Sequence, residues 1–418
     1  MIEPLGVVVF AITYTVISAR RLQWLPLDRP AGALLGAVAC VALGVLSPAA
    51  ALAAIDGATL LLLFGVMGIG AFLARDGFFV AAERWLVRRA VTPTRLLGLV
   101  VWGAGGLAAL VTNDAVCVLA APLLVRLVRR HRLPPLPFLL ALSTAANTGS
   151  VATLVGNPQN MLCGLLGELV YREYLVHMAP VALLGLGINH ALLRGLFRRE
   201  LAGCTLAPAE PEPEPHPDAE LEPNAAGRRW VITVVVLVGT AVAYVVGAPM
   251  AWTAVAGFAL LMVVHRTDTR GLWANIDWSL LVFFAGLFVV VQGLQQSGAP
   301  AWLFARFPLA LDFGDLGSVL RGAGIFVAGS NLVSNVPFIL VVQEPIAALP
   351  EPARAWELLA MASTFAGNLT LLGSVANVIV AEAGREVGGV GFWSFLRVGV
   401  PLTVLTTLVG VAWLLWVA

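Results

Sequence analysis

Apolar segments long enough to cross a lipid bilayer occupy most of this chain, and they leave few folds open to it. The 418 residues are 59% hydrophobic and only 12% charged, with a mean hydropathy of +0.90. A soluble domain carries about 25% charged residues. In hydrocarbon only helices and closed barrels satisfy their backbone groups, and apolar segments of this length predict helices. We therefore predict an all-α integral membrane protein.

The predicted spans form two sets on either side of one polar segment. Residues 206–229 are rich in Pro and Glu, a composition that predicts an extended, solvated linker. The spans are 4–19, 31–48, 57–75, 97–128, 137–164 and 178–194, then 230–247, 250–264, 278–296, 316–345, 356–380 and 394–417. Residues 1–205 and 230–418 are thus predicted to form two comparable halves.

The two halves resemble each other in sequence at a nearly constant offset. The matches are IDGATLLLLFGVMGIGAFLARDG (55–77) with IDWSLLVFFAGLFVVVQGLQQSG (276–298), VTNDAV (111–116) with VSNVPF (333–338), and TLVGNPQN (153–160) with TLLGSVAN (370–377). Their offsets are 221, 222 and 217 residues. Three matches in the same order indicate an internal duplication.

The fourth span of each half carries a polar tip between two apolar arms, at Asn113 and at Asn335. This pattern predicts a re-entrant hairpin of two half-helices, which leaves five crossings in each half. Because five is odd, the second half is predicted to be an inverted repeat of the first. With the N-terminus outside, 21 arginines lie on cytoplasmic segments and 4 outside, as the positive-inside rule requires. We expect an inner (plasma) membrane protein with both termini outside and a cytoplasmic linker.

A second interruption in each half breaks a helix with Gly, Asn, Pro or Ser, at 143–160 and at 363–377. Non-helical backbone survives at membrane depth only where protein buries it or where it lines a cavity. Broken helices in both halves of a repeat are typical of a transporter site near the midplane. The helices within 4–75 would be the scaffold. The segments 97–164, 316–345 and 356–380 would carry the site.

The residues predicted to bind substrate are polar residues and glycines at the two tips and the two breaks. They are Thr112, Asn113, Asn147, Gly156, Asn157, Asn160, Ser334, Asn335, Asn368, Thr370, Gly373, Ser374 and Asn377. These segments contain no Arg or His, so a small neutral polyhydroxyl solute suits them better than a doubly charged anion. For Ser143, Thr144, Ser363 and Thr364, close helix packing is an equally open interpretation.

Asp114 is the one carboxylate at these tips and breaks. A carboxylate at the bilayer centre costs about 2.5–3.5 kcal/mol on the insertion scale, which favours a functional role. Burial favours the neutral form of a carboxyl group, so Asp114 is predicted to carry a proton as the site alternates. Sodium coordination by Asp114 with Asn113 and the backbone near Gly156 stays open, as does a purely structural role.

Several other functions are excluded or disfavoured. The chain has no Lys, which excludes a P-loop and Schiff-base chemistry. Its four cysteines form no close-spaced pair, so neither a disulfide framework nor a thiolate metal site is expected. The five histidines fall at predicted span ends or in loops, which argues against a histidine proton relay. We expect no enzymatic activity, no cofactor and no nucleic-acid partner.

Two further predictions concern helices at the membrane surface. Residues 81–97, AAERWLVRRAVTPTRLL, are predicted to form a cytoplasmic interfacial helix with an Arg face. Asp56 and Asp277 open their helices, where a carboxylate suits the positive end of the helix dipole. Both are predicted to be structural.

Four stretches resemble the ion transporter superfamily, in the branch of arsenite permeases and sodium/proton antiporters. They are TNDAVCVLAAPLLV, RLPPLPFLLALSTAANTGSVATLVGNPQNM, SNLVSNVPFILVV and LLAMASTFAGNLTLLGSVANVIVAE, and the first two are also similar to plant silicic acid effluxers. The resemblance covers essentially the whole chain. It implies an inverted repeat whose hairpins and broken helices move as an elevator against a scaffold, often within a homodimer.

Relatives that carry sodium and dicarboxylates have a Ser-Asn-Thr triplet at both hairpin tips. Here Thr112 and Ser334 match the Ser, and Asn113 and Asn335 match the Asn. The third place departs from that pattern, because it holds Asp114 in one half and Val336 in the other. This departure argues against dicarboxylate binding.

Together these features predict a secondary active transporter that exports a small oxyanion or neutral metalloid hydroxide, of the arsenite or silicic acid class, in exchange for protons. A sodium/proton antiporter and a sodium-coupled anion symporter are alternatives. A channel subunit of an ATP-driven arsenite pump, served by an accessory ATPase, is another. The expected partners are a small inorganic solute, the lipid bilayer and a second copy of the chain.

Overall fold

The computed structural model describes residues 3–18, 27–204, 229–266 and 269–417. Within these residues the chain is helical and contains no strand, as the apolar segments predict. The predicted linker lies outside the described residues apart from Arg229, which begins a helix. The polar segment therefore separates two helical halves.

The described helices follow each other in the same order in both halves. In the first half they are α1 (Pro4–Ser18), α2 (Arg29–Ala42), α3 (Pro48–Ala53), α4 (Gly57–Arg75), α5 (Phe78–Arg89), α6 (Pro93–Ala108), α7 (Asn113–Arg130), α8 (Pro135–Ser150), α9 (Pro158–Leu166), α10 (Tyr171–Leu196) and α11 (Arg198–Ala202). In the second half they are α12 (Arg229–Val245), α13 (Met250–His265), α14 (Arg270–Trp273), α15 (Trp278–Gln296), α16 (Ala299–Arg306), α17 (Leu316–Val333), α18 (Asn335–Ala347), α19 (Pro352–Ala366), α20 (Val375–Ala383) and α21 (Phe392–Trp416), with a short 3-10 helix at Gly384–Val387 before the last.

Helix length varies more than the sequence pattern suggests. Within the described residues, α4, α10, α15, α17 and α21 are long and apolar enough to cross a membrane. α2 spans only 14 residues, because the chain turns at Gly44, where φ is +75°, and Pro48 starts a new helix. The predicted span 31–48 is therefore a helix followed by a turn. At 1.5 Å per residue, α2 is shorter than about 30 Å of hydrocarbon.

α4 and α15 occupy matching places in the two halves. Asp56 accepts the backbone N–H of Thr59 at 2.8 Å, and Asp277 accepts that of Leu280 at 3.0 Å. Both carboxylates are N-caps, as predicted. A Cβ added at mid-helix Gly65 would lie 2.6 Å from Ala254, and one added at Gly286 would lie 2.7 Å from Ala33. These glycines let α4 approach α13, and α15 approach α2, at backbone distance.

The interfacial helix predicted over 81–97 is two helices. α5 ends at Arg89, and Thr92 begins α6 by accepting the backbone N–H of Arg95 at 3.2 Å. Pro93 is the first residue of α6, a position where its missing N–H costs nothing and its fixed φ suits a helix start. α5 alone therefore carries the arginine face.

The prediction that all histidines lie at span ends or in loops is wrong for His177 and His190. α10 begins at Tyr171, earlier than the predicted 178, so both lie inside the helix. His177 Nδ1 is 2.9 Å from Oε1 of the buried Glu357 on α19, and Trp102 Nε1 donates to His190 at 3.3 Å. The polar residues at the start of α10 hid its first two turns from the hydrophobic pattern.

Candidate functional site

The first hairpin ends in a tip that rests on the first helix break. Thr112 caps α7, and the backbone N–H of Asn113 donates to the carbonyl oxygen of Gly156 at 2.9 Å. The Asn113 side chain accepts the N–H of Asp114 at 2.9 Å and donates to Asn147 Oδ1 at 2.8 Å. The structure thus brings Thr112, Asn113 and Gly156 together, as the sequence predicts.

The two helix breaks are built in the same way. Asn160 Nδ2 donates to the carbonyl oxygens of Ser150 at 3.1 Å and Thr153 at 3.0 Å. In the second break, Asn377 Nδ2 donates to the carbonyl oxygens of Gly367 at 2.7 Å and Thr370 at 3.1 Å. Each position in the second break follows its counterpart by 217 residues. One amide in each half thus satisfies the carbonyls that unwinding releases.

Asn147 joins the two breaks at the centre of the protein. Its Nδ2 donates to Asn377 Oδ1 at 2.9 Å and to Asn368 Oδ1 at 3.0 Å. Its Oδ1 accepts from Asn113 and, at 3.1 Å, from the hydroxyl of Ser374. An amide has two N–H donors and two acceptor lone pairs, so all four hydrogen-bonding positions of Asn147 are used within the protein.

Thr364 is the counterpart of Asn147, 217 residues later. It accepts from Asn157 Nδ2 at 3.1 Å and donates to Asn160 Oδ1 at 2.9 Å. Thr364 therefore belongs to the hydrogen-bond network of the two breaks, and close helix packing alone does not describe its role. Ser143 and Ser363 instead donate to the carbonyls of their own helices.

Most predicted site residues on the two breaks are saturated by other protein groups. Asn157 caps α9 and also donates to Ser150, while Asn368 donates to Thr148 at 3.0 Å. All residues from 151 to 160 are buried. Asn147, Asn157, Asn160, Asn368 and Asn377 therefore hold the breaks in shape, and in this conformation they have no free polar group to offer a solute.

The second hairpin tip has fewer hydrogen bonds within the protein than the first. Ser334 alone separates α17 from α18, at φ +68° and ψ 152°, a backbone conformation found essentially only in glycine. The side-chain oxygen of Asn335 is enclosed and has no hydrogen-bond partner, whereas its counterpart Asn113 has several. Strain and an unsatisfied buried acceptor both mark functional sites. Thr370 and Gly373 beside this tip are half-buried.

Sequence reasoning missed Asn331, which holds the second tip to the second break. Its Nδ2 donates to the carbonyl oxygen of Ala366 at 3.0 Å, and its Oδ1 is 3.5 Å from the Thr370 hydroxyl. Asn331 lies inside α17, four residues before Asn335. It precedes the matched tip sequences by two residues, so the repeat alignment gave no signal for it.

Asp114 lies at the N-terminus of α20, across the two halves. The backbone N–H of Ala376, the second residue of α20, is among the groups that act on its carboxylate. The cap residue Ser374 makes no side-chain capping bond, and its hydroxyl donates to Asn147. A carboxylate from the first hairpin therefore lies near the start of the second broken helix, where the positive end of the helix dipole stabilises negative charge.

Arg29 is a second residue that the sequence did not assign to the site. Arg29 and Asp277 both lie within electrostatic range of Asp114. A cavity of about 300 Å³ separates α1 and α2 from α20, and Arg29, Val375 and Val378 line it. The tips and breaks contain no Arg, but tertiary structure places this one, from α2, within electrostatic range of Asp114.

The two glycines of the breaks differ in the space around them. A Cβ at Gly156 would lie 2.2 Å from the backbone oxygen of Ser150, whereas the nearest atom to a Cβ at Gly373 is 3.0 Å away. We expect Gly156→Ala to distort the first break and to lower transport at least tenfold. Gly373→Ala should keep most transport activity. Gly373→Leu should abolish it, because the larger side chain would fill the space beside Asn331 and the second break. Initial transport rates, normalised to inserted protein, measure the difference between the variants. Equal rates for Gly156→Ala and Gly373→Ala would contradict the prediction.

Comparison with known proteins gives the family. Residues 12–366 match the family model CitMHS, described as a citrate transporter. The silicon efflux transporter LSI3 of Oryza sativa subsp. japonica is 33% identical over 97% of this chain and 96% of its own length. The arsenical pump membrane protein of Escherichia coli K12 is 27% identical over 66% of each chain.

A solved structure has a similar overall fold. The crystal structure of the YdaH transporter of Alcanivorax borkumensis superposes with a TM-score of 0.59 at 15% identity, over 99% of this chain and 96% of that one. At this identity the likeness concerns the fold alone, a helical membrane transporter fold. The family match extends over most of the chain, and the chain therefore belongs to the CitMHS citrate transporter family of the ion transporter superfamily and is a membrane transporter.

Proposed function

We propose that this protein is a proton-coupled exporter of a small neutral metalloid hydroxide, of the arsenous or silicic acid class. The supporting observation is the second tip, where the unpartnered Asn335 oxygen lies beside the strained Ser334. Such a solute is rich in O–H donors, which suit an enclosed amide oxygen and the hydroxyl of the half-buried Thr370. Relatives named for silicon efflux and arsenical pumping are consistent with this substrate class.

Asp114 is the proposed coupling group. It is the carboxylate among the predicted site residues, and it lies near the start of α20 on the opposite half of the protein. Loss of its charge would weaken that contact and the attraction to Arg29, while the amide network around Asn147 contains no titratable group. A proton on Asp114 could thus change how the first hairpin is held. Sodium bound by Asp114, Asn113 and the Gly156 carbonyl is the competing coupling ion.

A carboxylate anion is a second candidate substrate, and Arg29 is the observation that favours it. The cavity between α1, α2 and α20 holds a guanidinium group next to the N-terminus of α20. Arg recognises carboxylates through paired hydrogen bonds, and a helix N-terminus adds favourable backbone N–H groups. The citrate transporter description of the family agrees with this candidate.

We also propose that the halves are inverted repeats and that the hairpins and broken helices move together as an elevator. The matching hydrogen bonds of Asn160 and Asn377 in the two breaks support a two-fold relation, and the saturated amide network supports movement as one rigid unit. The odd number of predicted crossings and the arginine distribution support inversion. Scaffold contacts such as that of the Tyr14 hydroxyl with the Leu332 carbonyl would then change during transport.

Transport by purified protein in liposomes tests the substrate and the coupling ion. Arsenite, germanic acid as a silicic acid analogue, and citrate are loaded in turn, under a pH gradient alone and a sodium gradient alone. Proton-driven movement of the neutral hydroxides supports the proposal. Citrate movement that requires Arg29, with no movement of the hydroxides, would favour the second candidate. Sodium-dependent proton flux without any of these solutes would identify an antiporter.

Topology gives an independent prediction. A reporter fused after Ala418 should be external, and a protease site placed at Glu214 should be cut only from the cytoplasm, because the halves are predicted to have opposite orientation. Both positions lie outside the described residues. Labelling of single cysteines in intact and opened cells measures the same property. Cleavage at Glu214 from outside intact cells would contradict the inverted arrangement.

A further inference from the structure

A large apolar cavity lies away from the hairpin tips and helix breaks. Its volume is about 490 Å³, within the range of roughly 300–1,000 Å³ of small-molecule sites. α5 forms one wall, and α6 and α7 of the first hairpin form the other. Of the residues that line it, Glu83 alone is charged. A ligand there must be apolar over most of its surface.

The mouth of this cavity has the aromatic side chains that mark a membrane interface. Trp85 is 51% exposed, and Trp230 of α12 packs edge-on against Phe78 with ring centroids 5.9 Å apart. Tryptophan concentrates where lipid headgroups meet hydrocarbon. The cavity therefore starts at headgroup level.

The outer side of α5 is positively charged. Arg84 and Arg88 are exposed and lie one turn apart, and Arg89 follows at the helix end. Among the described residues no carboxylate forms an ion pair with these three guanidinium groups. An anionic headgroup would meet this row when its acyl chain fills the cavity. Basic residues on an interfacial helix attract anionic lipids.

We propose that the cavity between α5 and the first hairpin binds one anionic phospholipid, with an acyl chain inside it and its headgroup on Arg84 and Arg88. The inference is independent of the proposed substrate. Its consequence is that a lipid would join the interfacial helix to the hairpin that carries Asp114, so movement of that hairpin would depend on the lipid.

Native mass spectrometry of the full chain in detergent tests this proposal. Phosphatidylglycerol and phosphatidylcholine with identical acyl chains are added in turn, and we expect one phosphatidylglycerol to be retained preferentially. Arg84→Gln with Arg88→Gln should weaken phosphatidylglycerol binding by roughly tenfold or more and leave phosphatidylcholine unchanged. The matched control is Arg198→Gln with Arg199→Gln on α11, which should leave both lipids unchanged.

A second pair of variants tests the cavity itself. Gly103 lines the cavity, and a Cβ there meets no atom within 4 Å; Gly106, three residues on, is equally open but is not part of the lining. Gly103→Phe should fill the cavity and abolish retention, whereas Gly106→Phe should not. If Gly103→Phe fails to assemble, Leu123→Trp on α7, which also lines the cavity, tests the same point. Unchanged binding in a filled-cavity variant, equal retention of the two lipids, or no uptake by the native chain would overturn the proposal.

Discussion

Asp114→Asn should abolish proton-driven export while leaving exchange of the solute down its own gradient. An amide keeps the shape of the side chain and can still accept hydrogen bonds near the start of α20, but it cannot titrate. Exchange requires only that the loaded site cross the membrane, whereas coupled export requires a group that changes charge between the two faces. Net export driven by a pH gradient and tracer exchange without one, in the same liposomes, measure the two modes.

The matched control for this variant is Asp277→Asn. Asp277 lies within electrostatic range of Asp114 and caps α15, and asparagine caps helices about as well as aspartate. The Asp277→Asn variant should therefore retain proton-driven export. If Asp114 binds sodium, Asp114→Asn should instead lose sodium dependence and weaken both modes. Poor insertion would indicate a structural carboxylate, and unchanged pH-driven export by Asp114→Asn would rule out proton carriage.

Asn147→Ala should eliminate transport and markedly lower stability. The four neighbours of this amide, on the first hairpin and on the second break, would lose their partner inside the protein. Each buried polar group left unsatisfied costs about 1–3 kcal/mol. Because both breaks are held through Asn147, we expect them to lose their fixed geometry. The thermal midpoint in detergent and the transport rate per inserted molecule measure the two effects.

Asn189→Ala provides the comparison for Asn147→Ala. Asn189 is also a fully buried amide, but its side chain bonds only to the Thr144 hydroxyl, at 3.0 and 3.2 Å, and to none of the predicted substrate-binding residues. The Asn189→Ala variant should have a lower thermal midpoint but an unchanged transport rate per inserted molecule. Equal loss of transport in both variants would show that the amide network matters only for folding.

Hydrophobic periodicity and internal duplication in the sequence determined the helical class of this protein and the positions of its tips and breaks. Apolar segments fixed the all-helical membrane class, because hydrocarbon leaves the backbone few other ways to pair its polar groups. The matches between halves located both tips and both breaks, and Asn160 and Asn377 do play equivalent parts. These features depend on residues near in sequence or related by the repeat. The split at Thr92 and the early start of α10 were missed because local capping and polar first turns override a hydropathy pattern.

Tertiary structure alone decided which polar residues are already used and which are available. Asn147 and Asn335 look equally suitable in the sequence, yet one has all its hydrogen-bonding positions filled and the other has a bare buried oxygen. Arg29 comes within electrostatic range of Asp114, and Asp114 lies near the start of α20, only because distant helices pack together. Hydrogen bonds and charge pairs depend on distances of a few ångströms between segments up to 318 residues apart. No pattern along the chain encodes those distances, because they result from how all the helices pack at once.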